Sequence, residues 1–554
     1  MSKKKKKRSG GSAPEKKAPP PPARPPAFLR RLFPPAETEE PSWRWLWPWL
    51  GVAFVLRACV GIFGDFLLHP DEIMQYLEPA HKAVFGYGVS YWEHYYGARS
   101  FLIPGFVATI LWLAKVTGLD HPGFYVYAVK TAFCAVSVLV PWACYRIGRR
   151  FFGEEAGRLA LIMTCLWPYL IVFAHKPFTE FVATSIFFAA FGFACRPAAE
   201  RRGGALAVGA LLALAAAVRM QYLPIAGLLW LGLALGRGRG WALASIAGGV
   251  GMVLAVGAFE ALTWDYPYQS YYVNFMANLM IAQNRLAEPA EFYVIRLMVA
   301  TGMLFPAALY MMGAEFRRCA LLATLLAFTL LLHNLQVHKE LRFIFVIQPL
   351  FLLLIAPGLL RWLGGVRRPE LRLGIPGAYA AAFAVIVCFN FYDDRWLHAA
   401  SSRERGDTFY LREKNNLYGL YLRLHDDESL QGLAHFGDPY FNTPGYYYLH
   451  RAVPFYDESA LESAVRQTGG RRLRPLVSHV VSRRSLGSFE DFTLQRPDGE
   501  YLLYVSETEE SVRGLEDLNP YLVGGSMHYE FRRRGITSLP QPPDFPKLLP
   551  APQE

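Results

Sequence analysis

Acidic, histidine and aromatic side chains crowd into one short segment of the chain, between residues 69 and 100. Its acids include the adjacent pair Asp71 and Glu72, and Glu93 directly follows a tryptophan. Several Tyr and Trp residues surround them, a composition that suits packing around a sugar. A carboxylate in such a setting can take a proton from a hydroxyl group as a general base. The alternative at this point is that these acids are ordinary solvated loop residues.

Cationic side chains recur in the polar segments of the chain. They are Arg99, Lys176, Arg219, His338, Lys339 and Arg342. Carboxylates and cations together suit a transfer reaction with a phosphate leaving group, because a base activates the acceptor while positive charge stabilises the departing phosphate. The basic segment 338–342 has a second interpretation, since such a cluster at a span end can simply anchor lipid headgroups. If that segment is helical, His338 and Arg342 share one face and Glu340 points elsewhere.

Composition indicates a membrane protein. Of the 554 residues, 53% are apolar and only 18% are charged, and the apolar residues come in long blocks typical of a polytopic chain. The net charge of +12 does not indicate nucleic-acid binding, because much of it lies in the first 31 residues and the rest falls largely in short loops. The seven cysteines lie in or beside apolar blocks without metal-ligand spacing, which favours small buried hydrophobic side chains.

The apolar blocks predict eleven membrane spans. They are 43–63, 124–146, 156–174, 178–195, 204–218, 222–236, 240–263, 292–314, 318–336, 343–361 and 374–392. Basic loops usually stay in the cytosol, and they alternate correctly only if a further apolar stretch, 101–117, does not cross. We therefore expect that stretch to be a juxtamembrane or re-entrant helix on the outer side. The acids, histidines and aromatics described above then gather at the outer face, together with the C-terminus. Arg57 lies inside the first span, and a carboxylate of the next loop is its expected partner.

The chain divides into four predicted parts. Residues 1–42 are rich in Lys, Pro and Ala and are expected to form a disordered cytosolic tail. Residues 43–392 form an all-α membrane domain. Residues 393–537 are polar, with turn signals and short β-prone runs, and predict a small α/β domain outside the membrane. A Pro-rich tail, 538–554, completes the chain.

These motifs resemble those of the GT-C glycosyltransferases, and within them the lipid-phosphate-mannose-dependent α-mannosyltransferases. The first outer loop carries His69-Pro70-Asp71-Glu72, Gln75, Tyr76, Glu78, His81, Gly86, Gly88, Trp92-Glu93, Arg99-Ser100 and Pro104. A later loop carries His338-Lys339-Glu340 followed by Arg342-Phe343, and Thr179-Glu180 and Arg219 match weaker middle motifs. The resemblance covers about residues 45–360, with a looser match at Gly445–His450.

The resemblance implies roles for these residues. Asp71 would be the general base, and Glu72 would orient the acceptor or the base. Other substrate-binding residues would be Gln75, Trp92, Glu93, Arg99, Thr179, Glu180 and Arg219. The donor phosphate would be held by His338, Lys339 and Arg342. No metal or other cofactor is implied.

The implied reaction is the inverting transfer of mannose, or a similar sugar, from a polyprenyl-phosphate donor to a lipid-linked or glycan acceptor, forming an α-linkage. The expected location is the bacterial inner membrane with the active site outside, or the endoplasmic reticulum membrane in a eukaryote. The sequence departs from the family pattern at Arg219-Met220, at 287–292 and at Leu341, which leaves the acceptor open. The competing interpretation is a flippase or transporter of lipid-linked sugars, although transporters tend to bind near the midplane, in broken helices.

Overall fold

The structure is a computed structural model of the chain. It describes residue 34 and residues 43–63, 69–282, 316–336, 339–388, 417–468, 476–487, 492–498 and 501–506, together with 289, 291–301 and scattered positions from 305 to 313. Most of the N-terminal tail, the Pro-rich C-terminal tail and the domain boundaries near 393 and 537 lie outside the described residues. The division into four parts therefore stays a prediction.

Helices dominate the chain up to residue 388. The helices are Trp43–Phe63, Glu78–Phe85, Trp92–Tyr95, Leu102–Val116, Pro122–Ser137, Leu139–Phe152, Glu154–Leu166, Pro168–Val172, Thr179–Ala194, Arg202–Val218, Leu223–Arg237, Arg239–Thr263, Gln269–Ala282, Phe292–Thr301, Phe316–Asn334, Ile347–Trp362 and Pro369–Cys388. A π-helix, Glu72–Leu77, and the 3₁₀ segments Pro197–Glu200, Met220–Tyr222, Leu341–Ile344 and Leu363–Gly365 complete this part. Each predicted span coincides with at least one helix, so the all-α membrane domain is confirmed.

Four described helices are long and apolar enough to cross a membrane. They are Arg44–Phe63, Pro122–Phe152, Arg239–Thr263 and Ile347–Gly365. The other predicted spans coincide with helices that do not combine this length with this hydropathy, so the number of eleven crossings stays a prediction. The predicted non-crossing stretch forms the helix Leu102–Val116, whose 15 residues extend only about 22 Å and fall short of a ~30 Å hydrocarbon core. This helix packs against Glu78–Phe85 of the first outer loop.

Arg57 differs from the prediction. Within the described part of the chain its guanidinium contacts no carboxylate and instead donates to the backbone oxygens of Thr164, at 3.0 Å, and Cys165, at 3.2 Å. The cause is Pro168, which has no N–H and therefore leaves the Thr164 carbonyl without its usual helical partner. The helix breaks there, with Trp167 in an extended conformation. The first span thus supplies the hydrogen bonds that this break removes.

Two membrane helices cross closely at glycines. Arg202–Val218 and Arg239–Thr263 are neighbours, and a Cβ added at Gly209 would collide with the backbone of Ser245. A Cβ at Gly248 would likewise collide with the backbone of Leu206. Without a hydrophobic effect between helices in lipid, such close packing of small residues is a main source of association.

The C-terminal region contains helices Leu417–His425, Gly445–Leu449 and Glu458–Thr468, the 3₁₀ turn Tyr440–Asn442 and a five-stranded sheet. The strands are β1 (Leu433–Phe436), β2 (Phe455–Asp457), β3 (His479–Ser482), β4 (Phe492–Asp498) and β5 (Tyr501–Ser506), in the order β2-β1-β3-β5-β4. β1 pairs in parallel with β2 and β3, whereas β5 runs antiparallel to β3 and β4. The predicted small α/β domain is therefore confirmed.

A buried carboxylate joins this domain to the first outer loop. Glu78 is fully buried and accepts hydrogen bonds from the Tyr440 hydroxyl and the Tyr447 backbone N–H, each at 3.0 Å. It also accepts from the Val89 backbone N–H at 3.0 Å. The side chain thus ties its own loop and the C-terminal domain together, and we call this contact the Glu78 junction.

Candidate active site

The two predicted motif segments meet at Asp71 and Arg342. Asp71 precedes the π-helix Glu72–Leu77, and Arg342 lies in the 3₁₀ turn Leu341–Ile344. Arg342 Nη2 donates to Asp71 Oδ2 at 2.9 Å across 271 residues of sequence. His69 Nδ1 lies 3.3 Å from the other Asp71 oxygen, Oδ1. The residues expected to be the base and a phosphate ligand are therefore direct neighbours.

Arg342 is surrounded by carboxylates. Besides Asp71, its guanidinium contacts Glu340 and lies 3.7 Å from Glu180 Oε1. The guanidinium also lies 5.2 Å from the ring centre of Phe178, which adds a cation–π contact. Only 11% of the Arg342 side chain is exposed. One mostly buried cation thus neutralises several acids, and its charge is shared rather than free.

This shared charge sets the proton affinity of Asp71. Burial raises the pKa of a carboxyl, but here the Arg342 guanidinium and His69 outweigh burial and hold the pKa of Asp71 well below its usual range. A carboxylate with a strongly lowered pKa is a weak base. The arrangement therefore keeps Asp71 ionised but poorly able to accept a proton while Arg342 stays beside it.

A second arginine continues the network. Arg219 Nη2 lies 3.1 Å from Glu180 Oε1, and Arg219 Nη1 donates to Thr179 Oγ1 at 3.3 Å. The Tyr76 hydroxyl lies 3.3 Å from the same Thr179 oxygen. Thr179 and Glu180 begin a helix, whereas Arg219 directly follows the last residue of another. Arg219 is therefore brought together at helix ends with Thr179 and Glu180, which lie about 40 residues earlier in the sequence.

Glu93 occupies a buried position on the same loop as Asp71. Its Oε1 accepts from Gln75 Nε2 at 2.8 Å and lies 3.9 Å from Arg99 Nη2. Burial raises the pKa of Glu93 to about 7, although Arg99 opposes the shift. Its Oε2 has no hydrogen-bond partner in the described part of the chain. Glu93 therefore changes charge near neutral pH beside an arginine whose side chain is 25% exposed.

Trp92 has a different environment from Glu93. Its ring is buried in a small cluster with Tyr96 and Val273, so it packs the loop against the helix Gln269–Ala282. Asn274 of that helix also donates to the Ala98 carbonyl at 3.0 Å. Trp92 thus holds the shape of the loop, and its predicted contact with substrate gains no support from this position.

Glu72 forms a buried ion pair and is not exposed to a substrate. Both of its oxygens lie 2.9 Å from Lys176 Nζ, and the Glu72 and Lys176 side chains are 2% and 0% exposed. The pair fixes the first turn of the π-helix directly after Asp71. This geometry favours a positioning role for Glu72 toward the base, the second of its two predicted roles, over contact with an acceptor.

The basic segment is only partly described. His338 lies outside the described residues, and Lys339 is buried. The condition that this segment is helical is not met, because Glu340 has an extended backbone (φ −135°, ψ 147°) and the 3₁₀ turn begins only at Leu341. Glu340 therefore does not point away but contacts Arg342 directly. The sequence offered no signal for this local change from extended to 3₁₀ backbone.

Two site residues were missed because their contacts are distant in sequence. His94 follows Glu93 in the short helix Trp92–Tyr95. Its Nε2 donates to the Gln75 carbonyl at 2.9 Å, and its ring stacks on Trp264. Phe178 lies beneath Arg342. Phe178 could have been found from the sequence, because it is an aromatic residue next to the polar motif Thr179-Glu180. Nothing in the sequence distinguishes His94 from other loop histidines.

A protein-family model matches most of this chain. The model of the Alg9-like mannosyltransferase family matches residues 47–450, which is most of the chain and includes every motif segment described above. The chain belongs to the Alg9-like mannosyltransferase family. The resemblance inferred from the motifs is therefore confirmed.

Individual proteins match this chain over shorter lengths. GPI mannosyltransferase 3 of Yarrowia lipolytica is 27% identical over 149 residues, which are 25% of this chain and 29% of that protein. Mannosyltransferase APTG1 of Arabidopsis thaliana is 29% identical over 116 residues, 21% of each chain. The chain thus aligns with less than a third of the length of either relative.

A solved structure extends the likeness to the whole fold. ArnT from Cupriavidus metallidurans, solved bound to undecaprenyl phosphate, superposes with a TM-score of 0.56 over 85% of this chain and 99% of that chain. The identity is only 13%, so the likeness shows the fold alone. The protein is accordingly a multi-pass membrane protein with the GT-C fold.

Proposed function

We propose that the protein is an inverting mannosyltransferase that uses a polyprenyl-phosphate-linked sugar as donor and a lipid-linked or glycan acceptor. The observation that carries this proposal is the 2.9 Å contact between Asp71 and Arg342. It places a carboxylate able to take a proton beside a guanidinium able to hold a phosphate with two parallel hydrogen bonds. Family membership supports mannose as the sugar, and the binding of undecaprenyl phosphate by ArnT, which has a similar fold, supports a polyprenyl phosphate as the carrier.

The proposed reaction is a single displacement. The acceptor hydroxyl oxygen forms a bond to the anomeric carbon of the sugar as its proton passes to Asp71. The bond between that carbon and the phosphate oxygen breaks, and its electron pair stays on the phosphate. Arg342 and Arg219 carry the positive charge that stabilises the leaving group. The sugar leaves a β-linked donor and becomes α-linked, because the attack is from the opposite side.

The geometry supports an order of events. While Arg342 is bonded to Asp71, the Asp71 carboxylate is a weak base. A donor phosphate that draws Arg342 to itself removes that positive charge from Asp71 and raises its pKa toward the usual range. The donor thereby creates the base that its own transfer needs. Deprotonation of the acceptor consequently follows donor binding.

The location of the proposed site argues against the transporter alternative. Asp71 directly precedes the π-helix, Arg342 lies in a 3₁₀ turn, Thr179 begins a helix, and Arg219 directly follows the end of one. Transporters tend to bind substrates near the bilayer midplane, at the ends of discontinuous helices, so the depth of the site in the membrane separates the two functions. We expect the site to lie at the outer face of the membrane, at the height of lipid headgroups.

A transfer assay tests the proposal. Purified protein in detergent is given a mannosyl-phosphoryl polyprenol with labelled mannose and a lipid extract from the source cells. Transfer of label to a lipid or glycan is expected, with free polyprenyl phosphate as the second product. Translocation of the intact donor across a reconstituted vesicle without chemical change would instead identify a flippase.

A further inference from the structure

A cluster of imidazole and carboxylate groups lies outside the network around Asp71. It consists of His121, His425 and Asp426, which each offer one ligand atom within 4.8 Å of the others. His121 directly precedes the helix Pro122–Ser137, and His425 is the last residue of the helix Leu417–His425. The cluster therefore spans the boundary between the helical membrane domain and the C-terminal domain.

The ring of His425 is held in one orientation. Its Nδ1 lies 3.1 Å from the backbone oxygen of Leu449. Because a carbonyl oxygen only accepts hydrogen bonds, Nδ1 must carry the proton, and Nε2 keeps its lone pair. Metal-binding histidines are commonly fixed in this way, by a carbonyl or carboxylate that bonds the ring nitrogen away from the metal.

The ring of His121 already faces an acid. Its Nε2 lies 3.0 Å from Asp426 Oδ1, and its Nδ1 accepts from the Gly123 backbone N–H at 3.0 Å. The proton of the neutral ring is therefore on Nε2, between the ring and the carboxylate. A divalent cation can take the place of that proton, which then moves to Nδ1 through solvent. The helix loses one capping hydrogen bond in this exchange.

The distance between His121 and Asp426 suits a small divalent ion, and the third ligand atom lies within 4.8 Å of both. Nitrogen and oxygen ligands about 2.0–2.2 Å from zinc lie roughly 3.3 Å apart in a tetrahedral site. The His121–Asp426 separation of 3.0 Å is close to that value, and the rings of His121 and His425 have centres 4.8 Å apart. The His121 and Asp426 side chains are 53% and 65% exposed, so an ion can enter and water can complete the coordination.

We propose that His121, His425 and Asp426 bind Zn²⁺ or a similar divalent transition metal, which fastens the C-terminal domain to the membrane domain. Imidazole with carboxylate is a ligand set that such ions favour. The role is structural, since none of the three residues contributes to the network of Asp71 and Arg342. The Glu78 junction joins the same two domains from the inside, whereas this site would join them at the surface.

Metal binding can be tested on the full chain in detergent after removal of metals with EDTA. The probe is Zn²⁺ alone, measured by calorimetry, with Co²⁺ absorption as a second readout of coordination. The variants are His121→Asn, which keeps a side chain able to cap the helix, and His425→Asn, which keeps a donor for the Leu449 carbonyl. Asp427→Asn is the matched control, since Asp427 is adjacent to the cluster but not part of it.

The expected result is a Zn²⁺ site present in the wild type and in Asp427→Asn. Each histidine variant should lose Zn²⁺ affinity by more than the ~10–100-fold typical of removing an outer-shell partner. Zn²⁺ should also slow hydrogen exchange at residues 118–124 and 417–426 in the wild type and in Asp427→Asn, but in neither histidine variant. Unchanged Zn²⁺ affinity in both histidine variants, or no Zn²⁺ binding by the wild type, would overturn the proposal.

Discussion

Arg342 governs the charge of the proposed site at the scale of single residues. It contacts Asp71 and Glu340 and lies near Glu180, so a phosphate must compete with carboxylates for the same guanidinium. This competition weakens donor binding, whereas the carboxylate of Asp71 is needed for turnover. Changing one residue at a time separates the effect on binding from the effect on turnover.

Asp71→Asn should lower turnover while strengthening donor binding. Asparagine cannot take the acceptor proton, so turnover should fall by ~10²–10⁴. Arg342 loses a competing negative charge, so polyprenyl phosphate should bind severalfold more tightly than to the wild type. Equilibrium binding and single-turnover transfer measure the two effects. Normal turnover would remove Asp71 from the role of base, and weaker binding would contradict the competition.

Arg342→Lys should weaken donor use although the charge is kept. A lysine cannot form two parallel hydrogen bonds to a phosphate, so the donor KM should rise and kcat should fall. If the segment merely anchored lipid headgroups, charge alone would suffice and the lysine variant would match the wild type. The donor KM and kcat of both enzymes in detergent decide between these outcomes.

Glu93→Gln should flatten the dependence of stability on pH. The pKa of Glu93 is raised from its usual value to about 7, so the folded protein binds its proton more tightly than the unfolded chain does. The stability contributed by Glu93 is complete below its usual pKa and is lost as the pH rises through about 7. Unfolding midpoints between pH 4 and 8 should therefore decline less in the glutamine variant. Parallel curves for both proteins would exclude this role.

At the scale of elements, Gly445 is a position where the two domains approach closely at the Glu78 junction. Its φ is +64°, and a Cβ there would lie 2.6 Å from Glu78 Oε2. Gly445→Ala therefore adds both backbone strain and a clash with a buried carboxylate. The domain contact should weaken, with a lower unfolding temperature and faster proteolysis between the domains.

Gly487→Ala is the matched control for this change. Gly487 has nearly the same φ, +66°, but no atom lies within 4 Å of an added Cβ. It therefore measures the cost of the backbone conformation alone, ~1–3 kcal/mol. Equal destabilisation by both substitutions would show that the approach to Glu78 contributes nothing.

The sequence predicted the elements better than their connections. Long apolar blocks predicted helices such as Trp43–Phe63 because lipid demands internal backbone hydrogen bonds. β3 and β5 coincide with β-prone runs for a similarly local reason. The break at Pro168 was missed because its compensating side chain, Arg57, lies far away in the chain, and the extended backbone of Glu340 was missed because no local sequence signal marks it. The Asp71–Arg342 contact is likewise a product of tertiary packing, and the sequence indicated only that both lie on one face.

At the scale of the whole molecule, the Glu78 junction restricts the topology. A hydrogen bond between Glu78 and Tyr447 requires the first loop and the C-terminal domain to lie on the same side of the membrane. The chain between them must therefore cross an even number of times. Eleven spans with a cytosolic N-terminus satisfy this condition, because ten crossings follow the first loop.

Labelling of single cysteines in intact cells tests this map. Leu119→Cys and Glu428→Cys are exposed positions on the side predicted to be outside. Both should react with an impermeant thiol reagent, relative to the unmodified protein. Arg201→Cys, in a basic loop, is the control and should react only after permeabilisation. Protection of position 119 or 428 in intact cells would overturn the predicted orientation.

The Glu78 junction also has a consequence in time. Glu78 and Tyr440 are 362 residues apart. Because a ribosome adds about 5–20 residues per second, Tyr440 is synthesised roughly 20 to 70 seconds after Glu78. The loop that holds Asp71 therefore completes its contacts only near the end of translation. We therefore expect the proposed transfer activity to appear only once the C-terminal domain has been made.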